Sequence, residues 1–227
     1  MGVDYSQIEL RVAAHLSNDP EMIAAFQRGE DIHRRTASLV YGVAPENVTD
    51  EMRRKAKAFN FGILYGMGSY GLSQSAGITR EEAATFITEY LEHFSGIRNF
   101  MEAMKVFARE KGYVETELGR RRFLPEIKSD NRQVAAAAER MAINMPVQGL
   151  EADIVKLAMI AADRLIRERF LGKATMLLQI HDELIFEVEE SVAPVFAHEV
   201  KEVMESVYAL SVPLTVEVSV GKNWGEI

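Results

Sequence analysis

With 227 residues, 48% apolar and 26% charged, the chain has ordinary globular composition and enough length for one large core or two small ones. It contains no cysteine, which excludes disulfides and thiolate metal sites and fits a reducing compartment. No run of about 18 apolar residues reads as a membrane span. A net charge of −8 argues against nucleic-acid binding over the whole surface, yet the basic residues gather in HRR (33–35), RRKAK (53–57) and GRRR (119–122), which leaves room for a local basic channel.

MGVDYSQIEL lacks the basic and long apolar regions of a signal peptide and opens as a short strand. IELRVAAHL then places Ile8, Val12 and Leu16 on one helical face. Asp19 followed by Pro20 starts a helix that stops near Gly29, and Asp31 and Gly42 bound the next. Thr49 or Asp50 caps a helix that runs to about Tyr65. GMGSYGLSQSAG (66–77) reads as a glycine-punctuated connection, and Thr79 with Glu82 forms a capping box for a further helix. A helix over roughly 97–111 precedes a hairpin in YVETELGRRRFLPEI (113–127). Residues 131–170 are helical in pattern, with Pro146 and Gly149 as the expected break. LLQIHDELIFEV (177–188) is a second hairpin, followed by a helix near 191–209 and the strand LTVEVSVG (214–221). The fold class is α+β: three or four strands in one small antiparallel sheet, with a large helical insertion between the first strand and the second hairpin.

That second hairpin turns on His181, Asp182 and Glu183 with no Gly, Asn or Pro to ease the turn. Adjacent strand residues face opposite ways, so Asp182 and Glu183 are not expected to share one ion. Asp4, at the end of the first strand, is the candidate partner of Asp182. Two such aspartates side by side would repel unless a cation stood between them, and the pair suits Mg²⁺. The alternative reading makes Asp182 a turn residue and Asp4 a helix cap.

The helix 50–66 carries a more specific pattern. Arg53, Lys57, Phe61 and Tyr65 recur every four residues, so together they cover about 120° of its surface over about 18 Å. Met52, Ala56, Phe59 and Ile63 form a separate apolar stripe about 150° away, the natural core face. Two large aromatics therefore look away from the core. Cation, cation, ring, ring is the order of a nucleoside triphosphate, phosphates first and then sugar and base. Arginine suits bidentate contact with phosphate and lysine a point charge.

DYSQIELR (4–11), RRKAKAFNFGILYG (53–66) and HDE (181–183) resemble, in order, the three polymerase motifs of family A DNA polymerases of the bacterial polymerase I type. The resemblance extends through DIH (31–33), GRRRFLP (119–125) and NMPVQG (144–149), and so over essentially the whole chain. It implies a polymerase-like right hand lacking the thumb: a first palm strand and helix at 1–18, fingers at 19–125, and a C-terminal palm with the HDE hairpin at 126–227.

The resemblance further implies that Asp4 and Asp182 hold two Mg²⁺ ions, roughly 3.5–4 Å apart, with the backbone of Tyr5 near one of them. Glu183 would assist beside that site, and His181 would stand near the primer terminus. Glu9 would obstruct a ribose 2′-hydroxyl. Gln7, His33, Arg53 and Lys57 would hold the nucleotide, with Lys57 a candidate acid for the leaving group. Phe61 would pack on its sugar and base, where phenylalanine disfavours dideoxynucleotides, and Tyr65 would occupy the template-base position in an open state. Arg140, Asn144 and Gln148 would contact the minor groove, whose acceptors are nearly the same for every correct pair, and Arg122 would contact phosphates. The implied activity is DNA-directed DNA synthesis from deoxynucleoside triphosphates on primer–template DNA, in a cytoplasmic, nucleoid-associated protein without membrane attachment.

A thumb and upstream palm strands would come from an upstream polypeptide of the same polymerase. Without it, the first strand is expected to have an unpaired edge and the sheet an exposed apolar face. The alternatives are a catalytically inactive module that binds nucleotide or a partner, and a metal-dependent phosphohydrolase using the same carboxylates.

Overall fold

The structure, a computed structural model, describes residues 1–227. It resolves into two compact units: residues 1–12 with 148–227, and residues 13–147.

The first unit is built on a four-stranded antiparallel sheet. Its strands are β1 (Gly2–Tyr5), β4 (Ala174–Ile180), β5 (Glu183–Val188) and β6 (Val216–Ser219), in the order β4-β5-β1-β6. β1 is therefore an interior strand, with Val3 opposite both Leu184 and Val218. The expected unpaired edge on the first strand is not there, because this chain supplies a neighbour on each side. The open edges belong to β6 and to β4, and β4 exposes Leu177 and Leu178.

Helix α9 (Ala193–Ser206) belongs to the same unit. Phe196 on α9 packs edge-to-face on Phe186 of β5 and on Phe170, with ring centroids 5.3 and 5.1 Å away. The Tyr5 hydroxyl donates to the Met204 carbonyl at 2.6 Å, which fixes the end of β1 from below. Arg11, in helix α1 (Ile8–Ser17), donates to the Ser6 and Pro213 carbonyls and ties the turn after β1 to the approach to β6.

The second unit is helical. Helix α2 (Pro20–Gln27) is capped by Asp19, α3 (Ile32–Tyr41) by Asp31, and α4 (Asp50–Leu64) by Thr49. Helix α6 (Arg80–His93) carries the full Thr79–Glu82 capping box, and α7 (Ser95–Lys111) follows. These ends match the sequence reading because each cap is a local arrangement of a short oxygen-bearing side chain with its own next turn.

The stretch 66–77 departs from expectation: Ser69–Ala76 forms helix α5. Two of its glycines bound the helix, Gly68 at the N-cap and Gly77 taking the left-handed C-cap at φ +67°, while Gly71 lies within it. Strands β2 (Tyr113–Glu115) and β3 (Arg121–Phe123) form the expected small hairpin. Ala108, Val114, Leu124, Ile127, Ala138, Ala142 and Met145 close one core around it.

Helix α8 (Arg132–Arg169) runs unbroken through Pro146 and Gly149, against the expected interruption. Proline removes one helical hydrogen bond, but Ala142, Ile143, Met145, Val147 and Leu150 are all buried around it. Packing on both sides thus outweighs the local penalty. The division between the compact units falls one residue beyond Pro146. No helix is long and apolar enough to cross a membrane.

Candidate active site

In the first unit, Asp4 stands at the exposed end of β1. Register places Glu183 of β5 directly opposite it on one side and Glu217 of β6 directly opposite on the other. Directly paired residues share a sheet face, so three carboxylates line up across three strands. Asp182 lies in the turn before β5, and its carbonyl accepts from the Tyr5 N–H at 3.4 Å.

The Asp4 carboxyl is pushed up to about 6, first by partial desolvation and then by the charges of Asp182, Glu183 and Glu217, against a bond from the Tyr5 backbone. The Glu183 carboxylate leans over Gly2, so that a Cβ at this position would push the carboxylate aside. Glu217 was not singled out by the sequence pattern, because only sheet register brings it beside Asp4.

The turn is strained. His181 holds φ +53°, a region that favours glycine, at a cost of order 1–3 kcal/mol. Gln179 braces it by donating from Nε2 to the His181 carbonyl at 2.8 Å. His181 is exposed, and it lines a cleft of about 240 Å³ with Glu9, Gln148, Glu151, Lys156 and Gln179. Glu151 is a further acidic group here that the pattern gave no reason to select. Burial, Glu9 and Asp182 push its carboxyl up to about 8. Gln7 has φ +54°, and its Oε1 is buried without a partner.

In the second unit, α4 has the two faces expected of it. Ala56, Phe59 and Ile63 are buried and Met52 of the same stripe is half-buried, while Arg53, Phe61 and Tyr65 are half-buried and Lys57 is exposed. Phe61 and Tyr65 stack at 6.1 Å, Lys57 Nζ stands 5.9 Å from the Phe61 ring centre, and His33 of α3 tilts against Phe61 at 5.7 Å. Arg53 donates from Nε to Asp31 Oδ2 at 2.6 Å, while Asp31 Oδ1 accepts the His33 and Arg34 N–H groups at the start of α3. Asp31 is thus more than the cap read from sequence. Partial burial pushes its carboxyl up, but the bond from Arg53 and the Arg34 backbone outweigh that and hold it low.

Burial pushes His33 down to about 4, helped by Arg53 and Lys57 and opposed by Asp31. Other basic residues are occupied structurally: Arg34 on the Pro45 and Val48 carbonyls, Arg35 on Glu21 and Glu30, and Arg121 on Glu115. Arg122 and Arg140 are exposed, with Arg122 touching the Met141 sulfur at 3.3 Å. Asn144 is half-buried and its Oδ1 lacks a partner.

Of the residues selected from sequence, the first unit holds Asp4, Tyr5, Gln7, Glu9, Gln148, His181, Asp182 and Glu183. The second holds His33, Arg53, Lys57, Phe61, Tyr65, Arg122, Arg140 and Asn144. The Tyr5 phenol is committed to Met204, so only its backbone is left to face an ion.

No three His, Asp or Glu side chains form a ready cage for a metal. Magnesium does not require one, since it takes one or two carboxylates and completes its shell with water and substrate phosphates. The mutual repulsion around Asp4 and the oxygen-only donor set fit such an ion.

The model of DNA polymerase family A matches residues 1–226. The chain is 51% identical over 221 residues to DNA polymerase I of Bacillus subtilis, covering 97% of this chain and 25% of that protein. It is 50% identical over 224 residues to the thermostable DNA polymerase I of Thermus aquaticus, covering 99% and 27%. It thus spans about a quarter of the length of these curated relatives. Among solved structures, the POL domain of Pol1 from M. smegmatis, in complex with DNA primer-template and dNTP, superposes with a TM-score of 0.94 at 47% identity, over 98% of this chain and 39% of that one. With a match from end to end and half its residues shared with polymerase I proteins, the chain belongs to DNA polymerase family A.

Proposed function

We propose that this chain carries the catalytic part of a template-directed DNA polymerase, which adds deoxynucleoside triphosphates to a primer 3′-hydroxyl. The observation that carries the reading is the Arg53–Lys57–Phe61–Tyr65 face of α4, braced by Asp31 and His33, in one chain with the Asp4 and Asp182 carboxylates. It draws support from the M. smegmatis relative, whose structure holds DNA primer-template and dNTP. Residues 1–18 and 126–227 are assigned to the palm and 19–125 to the fingers.

In this reading Asp4, Asp182 and the Tyr5 backbone hold two Mg²⁺ ions, with Glu183 and Glu217 shaping the field around them. When bound, these ions activate the primer hydroxyl and neutralise charge on the triphosphate and the leaving pyrophosphate. Arg53 forks onto a phosphate with the guanidinium nitrogens that Asp31 leaves free. Lys57 neutralises and protonates the leaving group. Phe61 packs on the nucleotide's sugar and base, and Gln7 supplies a polar contact that relieves its unpartnered oxygen. Tyr65 holds the template-base position until the nucleotide enters. Glu9 crowds the 2′ position.

His181 stands near the primer end, and Gln148 joins the minor-groove contacts. Arg140 and Asn144 read the shape of the minor groove, and Arg122 takes phosphate. A polypeptide that supplies the thumb and the upstream palm completes the grip on the duplex, and the site of action is the bacterial nucleoid.

Primer extension with four deoxynucleotides and Mg²⁺ tests this, with the chain alone and mixed with a thumb-containing upstream fragment. Extension in the mixture supports the reading. Nucleotide binding without extension in either case supports a catalytically inactive nucleotide-binding module instead.

A further inference from the structure

Three polar side chains meet between α3 and α4. Thr36 Oγ1 donates to Asn60 Oδ1 at 2.9 Å, and Asn60 Nδ2 faces His33 Nδ1 at 3.0 Å. Thr36 and Asn60 are fully buried and His33 is 2% exposed. A buried amide is costly unless it is satisfied, and an apolar residue at position 60 would pack between these helices without that requirement.

The chain of bonds has a direction. A threonine hydroxyl that donates to the amide oxygen leaves the amide N–H₂ pointing at the ring. Nδ1 can accept only if it carries no proton, so the proton of a neutral ring must sit on Nε2. The ring's one hydrogen bond is at Nδ1. The charged groups around it are Asp31 at the start of α3 and Arg53 and Lys57 on α4, and together with burial they leave the ring neutral at physiological pH.

We propose that Asn60 is a positioning residue that holds His33 as the Nε2–H tautomer, so that the imidazole presents one N–H donor, and no lone pair, to an oxygen of the bound triphosphate. The opposite tautomer would set a lone pair against an anionic oxygen. Neither the helix pattern nor the phosphate-binding stripe requires an asparagine at position 60, and the hydroxyl of Thr36 gains its purpose by orienting the amide. The inference rests on the reading of His33 as a triphosphate-binding group.

The test uses the full 227-residue chain labelled with ¹⁵N in its histidine rings, with His33 assigned by its loss in His33→Gln. Two-dimensional NMR of the ring nitrogens is compared in wild type, Asn60→Asp and Thr36→Val. The carboxylate introduced by Asn60→Asp can only accept, and Thr36→Val frees the amide to turn over without adding charge. We expect Nε2–H in the wild type, Nδ1–H in Asn60→Asp, and a mixture in Thr36→Val. Affinity for Mg²⁺–deoxyadenosine triphosphate at pH 8 is expected to fall about twofold in Thr36→Val if the two tautomers are evenly mixed, in inverse proportion to the fraction of rings that keep Nε2–H.

A wild-type ring protonated at Nδ1, or a tautomer unmoved in both variants, overturns the inference without any nucleotide measurement. If His33→Gln weakens triphosphate binding but a shifted tautomer in Thr36→Val does not, the inference fails while the reading of His33 stands. If His33→Gln leaves triphosphate binding unchanged, both fall.

Discussion

Asp31 joins a helix end to the proposed triphosphate site, and its two oxygens can be separated by substitution. Oδ1 caps α3, accepting from the His33 and Arg34 N–H groups at 2.8 and 3.1 Å, while Oδ2 holds Arg53 Nε at 2.6 Å. Asp31→Ala removes both. Loss of the cap costs about 1 kcal/mol. The ion pair adds at most about 1 kcal/mol, because its side chains are 38% and 28% exposed.

Asparagine caps as well as aspartate, so Asp31→Asn keeps the cap and gives up only the charge. Urea denaturation followed by circular dichroism should therefore rank wild type above Asp31→Asn, with Asp31→Ala lower by about 1–2 kcal/mol in total. Nucleotide titration should separate the two oxygens further. Asp31→Asn leaves Arg53 unfixed and weakens Mg²⁺–nucleotide binding a few-fold while stability barely moves. Equal destabilisation by Asn and Ala would refute the cap, and unchanged nucleotide affinity in Asp31→Asn would refute the role of Oδ2 in aiming Arg53.

Lys57→Ala should lower single-turnover incorporation by about a hundredfold or more, the usual scale for a lost general acid, with little change in DNA affinity; equal losses in both would remove Lys57 from the chemical step. Glu151→Gln tests the half-buried carboxyl in the cleft. An acid raised from 4.5 to about 8 keeps its proton more tightly when folded, so its contribution to stability is intact below about 4.5 and is lost as pH rises through about 8. The glutamine variant should match wild type near pH 4 and exceed it at pH 8 by on the order of 2 kcal/mol after solvent screening. Parallel stability curves for the two proteins would contradict the burial of that charge.

What could be read directly from sequence was local or periodic. Asp19, Asp31, Thr49 and Thr79 cap helices because each bonds to a turn two or three residues ahead. The two stripes of α4 follow from helical spacing, and burial divides them everywhere but at Met52, in the first turn of the helix. The misses were set by tertiary context. Pro146 reads as a break, and only the buried side chains on either side of it carry α8 through. Gly68 and Gly77 read as loop until they are seen to bound a helix.

Register decides the rest. Glu183 and Glu217 flank Asp4 because β1 pairs on both sides, and no spacing along the chain predicts that. Asn60 meets His33 across 27 residues, a pairing that depends on how α3 and α4 pack.

The central claim is that Asp4 and Asp182 hold the ions that drive nucleotide addition. The most direct test is incorporation of a single complementary deoxynucleotide onto a labelled primer–template, with this chain supplemented by the upstream thumb-containing fragment and Mg²⁺ titrated from zero. Incorporation that requires Mg²⁺ and the correct template base, and is abolished by Asp4→Ala and by Asp182→Ala while both variants still bind DNA, is the predicted result. Incorporation that survives either substitution, or triphosphate hydrolysis that proceeds equally well without DNA, would contradict it.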